Sequence, residues 1–233
     1  MSQVPTVIIR PEAQQIDLVF ILDTICSRHT FKQRRQYVLN LIDEVTGSVH
    51  GGRLRFGAIA YGASQLTPRD PITFAGSPLS DNVEKVRKFL GSRKAERGRD
   101  FESAFEDALE MLYRFDWGRA NRRYVIAVGN RPPHPYIREP GCMGQLASPS
   151  MYDWRVLLTG LRTYFRLNFI SVMCPIYWPG SNLPEYAEAY ASSCWREVGY
   201  TASVKFDPAN FGAVARIITG PPAGPAREAL GPS

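Results

Sequence analysis

The sequence holds only three histidines, at positions 29, 50 and 134, and five lysines against 23 arginines in 233 residues. It also has no cysteine pair at CxxC spacing, no GxxxxGK[ST] loop and no GxGxxG after a strand. The missing glycine signatures exclude the common ways of cradling a nucleotide phosphate. The four cysteines, at 26, 142, 174 and 194, show no paired spacing and read as isolated small apolar residues. Apolar runs such as Leu18–Leu22 are far shorter than the ~20 residues that span a bilayer. The first residues, Met1 to Pro5, lack the basic start and long apolar core of a secretory signal, so a cytoplasmic protein without disulfides is expected.

What the chain does hold is a core. Its length fits one large domain, and 44% apolar residues exclude a disordered chain. A net charge of +6 permits an acidic partner, and the arginine excess suits forks onto carboxylates better than lysine would. Nucleic acid is not favoured, because no RNP-like aromatic motif, helix-turn-helix pattern or dense basic run is present.

Residues 16–22 form a nearly unbroken apolar run ending at Asp23, the pattern of a parallel strand buried on both faces. From His29 to Val45 the apolar positions take helical spacing. Strands are expected at 53–61 and, as a short edge strand, at 71–74; helices at 80–90, capped by Ser80 or Asp81, and at 100–115. Another buried strand, 123–128, stops at Gly129 and Asn130 and opens into a proline-rich segment of about twenty residues, a length that usually marks a functional loop. Beyond it come a helix at 151–165, a strand at 167–173, a helix at 183–198, a strand at 201–206 and a helix at 208–218 with Pro208 in its first turn. This reads as a lead over 1–15, one domain over 16–219 and a disordered Pro/Gly-rich tail over 220–233. Alternating strands and helices imply an α/β fold: a three-layer, doubly wound, mainly parallel sheet with one short antiparallel edge strand. Ligands of such sheets bind outside the carboxyl ends of the strands, at the point where the winding reverses.

Three segments resemble the von Willebrand factor A (vWA) domain. VFILDTICS resembles its strand and DxSxS motif, with Asp23 and Ser27 in place and Ile25 where the first serine belongs. RGRDFESAFEDAL resembles the GGGDxPEA segment of one subgroup and puts Asp100 at the second-loop ligand position. YVIAVGNRPPHP resembles that subgroup's GDAPPHP turn, with Asn130 replacing the aspartate. The resemblance implies a degenerate metal ion-dependent adhesion site of Asp23, Ser27, Asp100 and Asn130. No resident cofactor is expected, and Mg²⁺ or Mn²⁺ would bind only weakly, since Ile25 supplies no oxygen and Asn130 no charge.

Arg28, Arg99 and Arg131 each adjoin one of these ligand positions, so guanidinium groups are expected to take over the cation's charge and to meet acidic residues of a partner. With His134 in the long loop and Tyr177 and Trp178 in the CPIYWPG loop, they make up the expected partner-binding set. The resemblance implies a non-enzymatic interaction module or adaptor, beside an AAA+ ATPase such as a MoxR-type one, in a bacterial stress or conflict pathway. The alternative is a metal-assisted hydrolase built on Asp23, Asp100 and either Cys26 or His134. A zinc site from Cys26, Cys142, Cys174 and His134 has no supporting spacing.

Overall fold

The structure is a computed structural model that describes residues 15–62, 74–96, 101–136, 140, 151–176, 184–200 and 202–220. These residues form six strands and six helices: β1 (Gln15–Asp23), α1 (Arg28–Ser48), β2 (Arg53–Tyr61), β3 (Phe74–Ser80), α2 (Val83–Ser92), α3 (Phe105–Leu112), β4 (Arg122–Gly129), α4 (Trp154–Tyr164), β5 (Asn168–Met173), α5 (Glu185–Gly199), β6 (Ala202–Lys205) and α6 (Phe211–Thr219). The sheet order is β3-β2-β1-β4-β5-β6. Only β3 runs antiparallel, against β2.

β1 is the hinge of the winding. It pairs in parallel with β2 on one side and with β4 on the other, so the chain reverses its direction of winding between these two neighbours. Its even residues Ile16, Leu18, Phe20 and Leu22 pack with α1, α2 and α6. Val19 and Ile21 pack with α3, α4 and α5 on the opposite face. Helices cover both faces, which is why the run carries no polar alternation.

The exception within the strand is Asp17, fully buried and directly across from Arg55 on β2. Arg55 donates from Nε to Oδ1 at 2.8 Å and from Nη2 to Oδ2 at 2.7 Å. β1 therefore carries a buried carboxylate near its amino end and another, Asp23, at its carboxyl end.

Several boundaries differ from the sequence-based expectation. The edge strand is Phe74–Ser80 and not 71–74, whose first three positions lie outside the described residues. α2 is capped by Asn82, whose side chain accepts from the Glu84 N–H, and not by Ser80 or Asp81. α3 begins at Phe105, because the backbone before it is taken by tertiary partners. The Ser103 N–H donates to the Pro132 carbonyl and the Ala104 N–H to the Gly62 carbonyl, both at 3.0 Å. Pro208 precedes α6, which starts at Phe211 after a turn closed by the Asn210 N–H on the Asp207 carbonyl.

Candidate functional site at the carboxyl edge

The carboxyl ends of β1 and β4 lie side by side, Leu22 opposite Val128. Gly129 ends β4 where nothing larger fits: a Cβ there would sit 2.7 Å from the Asp23 Cβ and 2.9 Å from the Trp195 ring. Beyond the strand, the Thr24 N–H and hydroxyl both bond the Tyr61 carbonyl, at 2.8 and 2.9 Å. The Ile25 N–H donates to Asp23 Oδ1 at 2.8 Å. The connector after α2 pairs alongside, the Glu96 N–H on the Thr24 carbonyl at 2.9 Å.

Asp23 is fully buried, and the group facing it is Arg34 of α1, equally buried. Arg34 Nη1 lies 3.3 Å from Asp23 Oδ2 and donates to the Asp23 carbonyl at 3.0 Å. Arg34 lies on the apolar stripe of its helix with Phe31, Val38, Leu41 and Val45. Burial works against its charge, but the ionisable groups around it, the Asp23 carboxylate among them, outweigh that and hold its pKa above the ordinary guanidinium value. Burial pushes the Cys26 thiol up to about 11 and the Cys174 thiol up to about 12, so both stay protonated at neutral pH.

The expected site residues divide. Ser27 is exposed and caps α1, its hydroxyl accepting from the Thr30 N–H at 3.0 Å. Asn130 is buried and donates from Nδ2 to the Pro175 carbonyl at 2.5 Å. Arg28 is exposed on α1. Arg131, expected at the rim facing a partner, is instead buried, and its carbonyl accepts from Trp195 Nε1 at 3.0 Å. Desolvation lowers the Arg131 pKa, with the Asp23 carboxylate opposing.

His134, expected in the partner-binding set, is likewise buried. It is 3% exposed, its Nδ1 lying 2.9 Å from Oε1 of the fully buried Glu106, while its N–H donates to Oε2. Packing of the segment after β4 against the start of α3 turns the ring inward, as the Ser103–Pro133 bridge shows. Asp100, Arg99, Tyr177, Trp178 and Cys142 lie outside the described residues.

The described residues at this edge do not fit a divalent cation. The carboxylate that would hold it already faces a buried guanidinium, Ile25 offers no oxygen, and the Ser27 hydroxyl is spent on a helix cap. Nor is there, among the described residues, a group of three or more His, Cys, Asp or Glu that could hold a metal. The residue that sequence reasoning missed is Arg34. Its signal was present: an arginine three positions beyond Phe31 and four before Val38, on the buried stripe of an amphipathic helix.

The fold is α/β and vWA/Rossmann-like: a mostly parallel sheet with one antiparallel edge strand, flanked by helices on both faces. Among solved structures it is similar to the open conformation of the pilus adhesin SpaC from Lactobacillus rhamnosus GG, with a TM-score of 0.63 and 11% identity over 90% of this chain and 30% of that one. It is also similar to proximal thread matrix protein 1 from the mussel byssus, with a TM-score of 0.54 and 11% identity over 89% of this chain and 48% of that one. The chain thus matches less than half the length of either, and at such identity the likeness concerns the fold alone. No protein-family profile and no curated protein matches the sequence. No helix among the described residues is long and apolar enough to cross a membrane.

Proposed function

We propose that this protein is a non-enzymatic, vWA-like interaction module that engages another protein through the carboxyl edge of its sheet without a metal ion. The observation that carries this reading is the Arg34 guanidinium beside Asp23, both fully buried. In a metal-dependent site the cation balances the aspartate and leaves a coordination position for a partner's carboxylate. Here a fixed cation of the chain itself balances the charge, so the edge keeps its shape with no ion to gain or lose. Its structural neighbours include a protein named as an adhesin and one named as a thread matrix protein, which agrees with an interaction role.

The finer form of the proposal, an adaptor working in the cytoplasm beside an AAA+ ATPase in a stress or conflict pathway, rests on the sequence resemblance. The hydrolase alternative draws no support from the geometry: the Cys26 thiol is held protonated, and His134 is turned onto Glu106.

The test is affinity capture from the native host in chelator, with the bound proteins identified by mass spectrometry. Tyr136, 46% exposed on the segment leaving β4, is replaced by Glu; Tyr200, 79% exposed between α5 and β6 at the opposite edge, is replaced by Glu as a control. The reading expects a partner retained in chelator and by Tyr200→Glu but lost with Tyr136→Glu. A partner that leaves when chelator is added contradicts it.

A further inference from the structure

A second feature adjoins this edge. Arg28, Lys32 and Arg35, at i, i+4 and i+7 of α1, form one wall of a cleft of about 420 Å³; Lys94 and Ala95 of the connector after α2 form the other, and Phe31 lies between them. The walls are fixed to each other. Arg35 Nη1 donates to the Gly91 carbonyl at 3.3 Å, and the connector is held to the β1 extension through Ile25 and Glu96.

Four cations therefore face one space from two elements, and among the described residues no carboxylate lines it. Some other surface arginines differ: Arg53, Arg87, Arg114 and Arg155 each pair with an acidic side chain. Among the described residues none of the cleft's four cations does so. Like charges spaced four apart on a helix repel, and the first turn of α1 carries no acid to relieve them. The chain thus maintains an unfavourable charge cluster that an anionic occupant would relieve.

We infer that this cleft takes an acidic polypeptide segment of the partner. The inference rests on the interaction-module reading and names the chemistry it recognises. The lysine and arginine stems, with half-buried Ala95, give the cleft an apolar lining beneath a cationic rim, which suits carboxylate side chains flanking a small apolar one. A nucleic acid would find phosphate contacts but no base platform, since Phe31 is only 4% exposed.

The experiment is fluorescence anisotropy on the full chain, in chelator, with a fluorescein-labelled oligoglutamate peptide carrying a central alanine. Binding is expected, weakening as salt rises. Lys32→Glu with Lys94→Glu should weaken it about tenfold or more, from two surface charge reversals. Lys205→Glu with Arg216→Glu, an equal change in net charge at exposed positions on β6 and α6, should leave it unchanged.

The inference is overturned by absence of peptide binding, by equal losses in the two double variants, or by tighter binding of a short DNA duplex or inorganic polyphosphate lost with Lys32→Glu and Lys94→Glu. It is also overturned by self-association of the protein that the same double variant abolishes, since a second copy would then fill the cleft. If the peptide result fails while capture still depends on Tyr136, only the acidic chemistry of the partner falls. Failure of the capture experiment as well removes the interaction module itself.

Discussion

The Arg34 guanidinium of α1 lies 3.3 Å from the Asp23 carboxylate of β1, with both side chains shut off from solvent. Two charges in such a place each cost several kcal/mol of hydration, and the pair persists because each offsets the other and Nη1 is further satisfied by the Asp23 carbonyl. Two elements are tied by it at the point where the sheet changes its winding.

Removing one partner leaves the other buried and uncompensated. Arg34→Met is expected to destabilise the protein by about 3 to 5 kcal/mol in urea unfolding. Replacing both, as Arg34→Met with Asp23→Leu, should recover a large part of that loss, because no orphan charge remains. A single-variant loss below about 1 kcal/mol would show that the pair is not what holds α1 to this edge.

The His134–Glu106 contact predicts a different signature. His134→Ala should cost about 2 kcal/mol, the range for a hydrogen bond to a charged group, whereas His134→Asn, which keeps an N–H near the Nδ1 position, should cost less. Neither should alter partner affinity in the folded protein, since the ring is buried. A selective loss of affinity with full stability retained would return His134 to the binding surface.

The buried thiols make stability depend on alkaline pH. Cys174 in the folded chain titrates at about 12, against an ordinary value of 9.0. Between these values the unfolded chain has lost its proton while the folded chain keeps it, so stability falls as pH rises through that window and is unaffected below it. Melting temperature measured from pH 8 upward should decline above about 9, and Cys174→Val should decline less steeply. Identical slopes for the two proteins would contradict the burial of this thiol.

Much of the architecture was legible in the sequence, for physical reasons visible in single elements. β1 and β4 read as buried parallel strands because helices on both faces remove polar alternation, leaving runs such as Leu18–Leu22 and Tyr124–Val128. α1 read as a helix from its apolar stripe. The start of α3 did not, because Phe101 continues a helical spacing while Ser103 and Ala104 give their N–H groups to Pro132 and Gly62, partners far away in the sequence.

The site was legible in outline only. Asp23 stood out at the end of its strand, but the guanidinium paired with it came from Arg34, eleven residues on, and not from the arginines flanking the motif positions. One arginine among 23 does not advertise its burial unless its helical stripe is followed residue by residue. The burial of Arg131 and His134 was equally hidden, since the segment that carries them is held by Trp195, through the Arg131 carbonyl, and by Glu106, through the His134 ring, both from other elements.

The central claim, that a buried guanidinium stands where a cation would be needed, is tested most directly by thermal unfolding of the purified chain in chelator and in millimolar Mg²⁺ or Mn²⁺. A site that bound the ion at 100 times its Kd would gain about 2.7 kcal/mol, a shift of several degrees. The account predicts no rise in Tm for the natural sequence with either ion. A saturable, metal-dependent rise that Asp23→Ala abolishes would contradict it.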